Sequence, residues 1–118
     1  MDIEVLFAAV GVRRLDVALP WYRRVFDREP DIVPNDDEVM WHVTDAGWLY
    51  IVRDEERAGR GLVTLCVRDL DAFVAAAADR GVQGHPIVSV GDAGREANFP
   101  DPDGNLISFI EVANAADA

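Results

Sequence analysis

The chain has one cysteine, two histidines and no lysine among its 118 residues. A lone cysteine, Cys66, excludes an internal disulfide, and the expected setting is a reducing one, the cytoplasm. His42 and His85 form no His-x-x-x-His motif, and no Cys-x-x-Cys spacing exists, so local metal-binding signatures are missing. No apolar run approaches the ~20 residues a membrane helix needs. The first residues, Met-Asp-Ile-Glu, are acidic where a secretion signal would be basic, so no signal peptide is expected. Cationic side chains are scarce: 11 arginines stand against 22 Asp and Glu, a formal net charge of −11. Nucleic-acid binding needs surplus cations to displace counterions, so no nucleic-acid partner is expected. Anionic membranes would repel the chain, so no membrane partner is expected either. Cationic small molecules would be attracted. The same carboxylates also serve plain solubility. Arginine used without lysine reads as the coding bias of a GC-rich bacterial genome.

What is present is an ordinary globular composition, 50% hydrophobic and 28% charged, enough for one domain with its own core. The chain contains itself twice. Val12-Arg13-Arg14-Leu15-Asp16 returns as Val67-Arg68-Asp69-Leu70-Asp71, an offset of 55 residues. Each copy follows a short apolar, β-branched run, Ile3 to Val12 and Gly61 to Val67, that reads as a buried strand. Each precedes a helical stretch. In the first, Leu19, Tyr22, Val25 and Phe26 share a face, and Pro20 places the regular helix start near itself. The second is the Ala-rich run from Asp71 to Arg80, closed by Gly81. Further strands follow. Val39 to Val43 and Trp48 to Val52 flank the Thr44–Gly47 turn. Ile87 to Val90 stands alone, and Ala97 to Phe99 and Leu106 to Val112 flank Asp101-Pro102-Asp103-Gly104-Asn105. The charged stretch from Asp54 to Gly61 reads as a module boundary. The expected architecture is α+β, a single domain of two modules at about 3–56 and 60–113. A helix covers one face of each sheet, and the sister module is the simplest cover for the other.

This arrangement resembles the vicinal oxygen chelate superfamily, which includes glyoxalase I, extradiol dioxygenases and bleomycin-resistance proteins. The likeness rests on the two copies at Val12 and Val67, on Trp21 to Phe26, and above all on Phe99-Pro100-Asp101-Pro102-Asp103-Gly104-Asn105-Leu106-Ile107. It implies two βαβββ modules with cupped sheets, and commonly a homodimer. It also implies where metal-dependent members carry His, Glu or Gln for one divalent ion. Here those positions hold Phe7, Leu62 and Ser108, with Tyr50 at or near the remaining one. Phe and Leu have no donor atom, and Ser and Tyr are weak ligands, so no family-type metal site and no cofactor are expected.

Strand alternation gives an expected lining. With Phe7 facing inward, so do Ala9 and Gly11, and Leu62, Thr64 and Cys66 in the second module. A symmetric Thr44–Gly47 turn pairs Val43 with Trp48 and Trp41 with Tyr50, turning all four inward. It turns His42 and Glu38 to the helix side, with Glu111. Ser108 faces in with Leu106 and Ile110. The expected ligand-binding residues are therefore Phe7, Trp41, Trp48, Tyr50, Leu62, Cys66 and Ser108, with no catalytic and no metal-binding residue assigned. The aromatic residues serve equally as core or dimer filling. Cys66 reads as a small apolar thiol, with a Cys–His–carboxylate cluster the rival reading.

The expected function is metal-free binding of an organic molecule, aromatic or cationic, as in bleomycin-resistance proteins. The pocket lies between modules or across a homodimer, and antibiotic resistance is the biological setting the resemblance implies. The alternative is a metal-dependent lyase, isomerase or extradiol-type dioxygenase. The ligand positions lean against an enzyme.

Overall fold

Both apolar runs become the first strand of a sheet, and both helical stretches cross over to a parallel partner. The computed structural model describes residues 1–112. In the first half β1 (Leu6–Val12) leads to α1 (Leu15–Phe26), β2 (Ile32–Asn35), β3 (Glu38–Thr44) and β4 (Gly47–Arg53). In the second, β5 (Leu62–Cys66) leads to α2 (Leu70–Asp79) and β6 (Val88–Ser89). A short 3-10 turn (Gly91–Ala93), β7 (Gly94–Pro100) and β8 (Leu106–Val112) complete it. The sheets have the orders β1-β4-β3-β2 and β5-β8-β7-β6. In each, the first strand pairs parallel with the last and the other pairs are antiparallel. Parallel pairing needs a long crossover, and α1 and α2 supply it. The expected module end at 113 lies outside the described residues.

Three local expectations change. β2 was not legible, because Pro34 interrupts its short apolar run; an edge strand tolerates that proline. β6 is shorter than the Ile87–Val90 run, and β7 is longer than Ala97–Phe99. Helix α1 starts before Pro20, not at it. Arg14 is its cap residue without a side-chain cap, and Pro20 lies inside, leaving the Asp16 carbonyl without that helical hydrogen bond. Helix α2 is capped as its sequence suggests: Ala72 N–H donates to the Asp69 carboxylate at 3.0 Å. Among the described residues no helix is long and apolar enough to cross a membrane.

The helix-facing residues of both sheets join one core. Val10, Leu49 and Ile51 lie with Tyr22, Val25 and Trp41, and Ile107 and Phe109 with Leu70, Ala77 and Phe99. Burying a side chain of this size contributes about 2 kcal/mol of transfer free energy. The modules are tied on this side and where β1 meets β5. Arg80 donates to the carbonyls of Arg24 (2.5 Å) and Val25 (3.2 Å), tying α2 to α1. Tyr22 donates its hydroxyl to Asp101 at 2.7 Å, across 79 residues of chain. The opposite faces are left open: Phe7 is 53% and Leu62 69% exposed. The sister module therefore does not cover the inner face, contrary to expectation, because the modules have already spent their contact on the helix side.

Burial and the neighbouring Asp101 carboxylate push the Tyr22 hydroxyl well above its ordinary range. A raised folded value favours the protonated form. The stabilisation is complete below pH ~10, where the unfolded chain also keeps its phenol proton, and is lost as pH climbs above that. The chain has no lysine and two tyrosines, so few other groups compete in that window. Melting temperature should therefore fall between about pH 9 and pH 11, and much less so in Tyr22→Phe. Equal slopes in the two proteins would contradict this assignment.

Candidate functional site

The inner face of the first sheet is ordered by register. Phe7, Trp48 and His42 are successive partners across β1, β4 and β3; Ala9, Tyr50 and Met40 form the next row; Gly11, Val52 and Glu38 the third. Cross-strand partners share a face, so all nine side-chain positions look the same way. The first row is a stack. The Phe7 and Trp48 rings lie 6.3 Å apart at 20°, and the His42 and Trp48 rings 4.6 Å apart at 21°. The second sheet presents Leu62 beside Leu106, Thr64 beside Ser108 and Cys66 beside Ile110. The Ser108 hydroxyl is not free there, since it donates to Asn98 Oδ1.

Two expected lining residues are on the wrong side. Trp41 pairs with Leu49 and is 0% exposed, packed against Phe26 with ring centroids 5.2 Å apart and donating its indole N–H to the Arg28 carbonyl. Val43 turns outward with it and packs on the core. The cause is one irregularity in the hairpin. The turn pairs Thr44 with Gly47, and the next pair is His42 with Trp48, so Val43 has no partner. Gly47 permits it, because a Cβ there would lie 2.6 Å from the Thr44 hydroxyl. That one-residue slip reverses all of β3. His42 and Glu38 therefore face inward, where the sequence reading had them on the helix side. Glu111 is on the helix side as expected, accepting from the Leu70 N–H at 2.8 Å. Leu6, which alternates with Phe7 and so has the helix-side parity, is 67% exposed at the start of β1.

Beside the aromatic row lies a cleft of about 580 Å³. Ala9, Gly11, Tyr50, Val52 and Glu38 form its floor, and Asp54, Arg57, Arg60 and Gly61 of the inter-module segment form its wall. That segment is not a slack linker. Asp54 N–H donates to the Val12 carbonyl (2.9 Å) and Gly61 N–H to Asn105 Oδ1 (2.7 Å), and Ala58 is buried. Gly11 lets it approach, since a Cβ there would meet the Arg57 Cβ at 3.1 Å. Arg57 and Asp54 pair at 2.8 Å; the hydrogen bond and charge of Arg57 hold the Asp54 carboxyl below the usual carboxylate range. Sequence reasoning had Tyr50 for this cleft but missed Glu38, Arg57 and Arg60. The charged composition of 54–61 was visible, but not that the segment folds back on β1.

Of the seven expected ligand-binding residues, Phe7, Trp48 and Tyr50 lie together on the first inner face. Leu62, Cys66 and Ser108 lie on the second, and Trp41 lies in the core. Cys66 is exposed and shares a smaller apolar groove with Leu6, Thr44 and Trp48. Among the described residues no three His, Cys, Asp or Glu side chains are grouped to hold a metal ion. Glu38 and His42 are four residues apart on one strand, about 13 Å, too far to share an ion comfortably.

A duplicated βαβββ chain with its first and last strands parallel in each sheet has the architecture of the vicinal oxygen chelate superfamily. No protein-family model and no curated protein matches the sequence, but solved structures do. A glyoxalase/bleomycin resistance protein from Catenulispora acidiphila is 39% identical, with a TM-score of 0.86 over 92% of this chain and 97% of that one. The chain belongs to the glyoxalase/bleomycin resistance protein family. Two more distant structures share the fold. One is TnmS3, an antibiotic binding protein from Streptomyces sp. CB03234, at 22% identity and TM-score 0.73, covering 92% of this chain and 95% of that one. The other is a lactoylglutathione lyase from Agrobacterium tumefaciens, at 18% identity and TM-score 0.69, covering 91% and 92%.

Proposed function

We propose that this protein binds a flat organic molecule without a metal, on the inner face of its first module. The observation that carries this is the open Phe7–Trp48–His42 stack beside the Tyr50 cleft. The ring edges and the outer faces at the two ends of the stack offer packing and stacking to a planar guest, and a terminal π face also suits a cation. Such rings would ordinarily be buried, and here the fold leaves them beside a cavity. The positions that the family resemblance implies for an ion carry Phe7, Leu62 and Ser108, with Tyr50 at or near the fourth, and Phe7 and Leu62 have no donor atom. An antibiotic is one guest that fits, as the fold it shares with an antibiotic binding protein suggests. Titration with planar heteroaromatic compounds, followed by Trp fluorescence, tests the reading. Saturable quenching below about 100 μM is expected, an affinity of about −5.5 kcal/mol or better. Stoichiometric Zn, Ni, Mn or Fe in protein purified without chelator would overturn it in favour of a metal-dependent lyase, isomerase or dioxygenase.

The open inner faces also favour a homodimer. Leu6, Phe7 and Leu62 are large apolar side chains exposed on a single chain, and a second copy is the simplest cover. The pocket would then be completed across the interface. The wild-type chain should sediment at twice its chain mass, and Leu62→Asp should shift it to the monomer. A monomeric wild type at micromolar concentration would remove this part of the proposal.

A further inference from the structure

The cleft has a charge pattern unlike the rest of the molecule. The chain carries twice as many carboxylates as arginines, yet the cleft holds two of each: Glu38 and Asp54 against Arg57 and Arg60. Among the described residues most arginines are committed to a carboxylate. Arg13 pairs with Asp103, Arg28 with Asp31, Arg53 with Asp37, Arg57 with Asp54 and Arg95 with Asp71. Arg60, like Arg24 and Arg68, pairs with none of them, and it alone of these three lines the cleft, with Glu38 and Asp54. Its backbone is nonetheless fixed: its N–H donates to the Arg57 carbonyl at 3.2 Å, and the next residue, Gly61, is held by Asn105 at 2.7 Å. An exposed, unpaired guanidinium carried by a fixed backbone at the edge of a cavity floored by Tyr50 is a ready fork for a carboxylate or sulfonate.

We infer that Arg60 anchors an acidic group on the guest, so that the ligand class is an aromatic acid. This rests on the binding reading proposed above and narrows it. The negative field of the whole chain attracts cations from a distance, but the contact that fixes orientation is local and runs the other way. A basic group on the same guest would be received by Glu38, which lies on β3, across the cleft floor from β1, and accepts from Asn35 at 3.0 Å.

The test uses two probes that share a naphthalene ring, 2-naphthoate and the smaller, neutral alcohol 2-naphthylmethanol, titrated at low and high salt into the wild type, Arg60→Gln and Arg24→Gln. Arg24 is a helix arginine outside the cleft and serves as the control. The wild type should bind naphthoate at least tenfold tighter than the alcohol at low salt. That preference should shrink in high salt, vanish in Arg60→Gln and survive in Arg24→Gln. Equal affinity for the two probes, or a preference untouched by Arg60→Gln, would overturn the acid anchor while leaving the aromatic site standing. If neither probe binds the wild type at millimolar concentration, the binding reading fails and the anchor falls with it.

Discussion

Replacing Asn105 with alanine is expected to cost the fold about 4 kcal/mol and to lower its melting temperature by roughly 15 °C. Asn105 is 0% exposed and uses its whole amide. Its Nδ2 donates to the Gly11 carbonyl at 2.9 Å and to Asp101 Oδ2 at 2.8 Å, and its Oδ1 accepts from Gly61 N–H at 2.7 Å. Truncation would strand a buried carbonyl, a part-buried N–H and part of a buried carboxylate. Each orphan costs about 1–3 kcal/mol, more for the charged one. Asp101 depends on this network because it has no cationic partner among the described residues. It is held by donors alone: the Tyr22 hydroxyl at 2.7 Å, the Asn105 amide, and the N–H groups of Asp103 and Asn105, both at 2.9 Å. The Asp–Pro–Asp–Gly–Asn turn is thus the clasp between the modules. It grips β1 through Gly11, the inter-module segment through Gly61 and α1 through Tyr22. Thermal denaturation by circular dichroism measures the effect. A melting point within about 3 °C of wild type would show that water replaces the lost partners and that the clasp is not structural.

Trp48→Ala should weaken binding of a planar aromatic probe roughly thirtyfold, about 2 kcal/mol, with little change in melting temperature. Trp48 is the middle ring of the stack, so its loss unseats Phe7 and His42 together. Trp41→Ala should do the reverse. That ring is buried among Tyr22 and Phe26, so truncation opens a core cavity costing about 3–5 kcal/mol. Paired melting curves and fluorescence titrations of both variants separate the two roles. Ligand loss in a well-folded Trp41→Ala, with binding intact in Trp48→Ala, would reverse the placement of β3 and with it the proposed site.

These two tryptophans mark how far the sequence could be read. The family resemblance placed Phe7 and Tyr50 inward, alternation extended that set along β1 and β4, and Phe7, Trp48 and Tyr50 do share a face. The same rule failed on β3 because it passed through a turn. An unpaired Val43 leaves no signature in composition or spacing, yet it exchanges Trp41 for His42 and adds Glu38 to the cleft. Arg60 was hidden for a different reason. A charged, Gly-containing stretch looks like a tether, and only its hydrogen bonds to β1 and to Asn105 make it a wall.

The repeat, the strand–helix order and the family likeness were determined by the amino-acid sequence alone, because local periodicity and turn chemistry repeat themselves in each half. Tertiary structure alone decided which faces meet. Backbone register and the buried clasp turn the modules helix side to helix side and leave the aromatic row open. Those choices depend on contacts between residues as far apart as Tyr22 and Asp101, which no local pattern encodes.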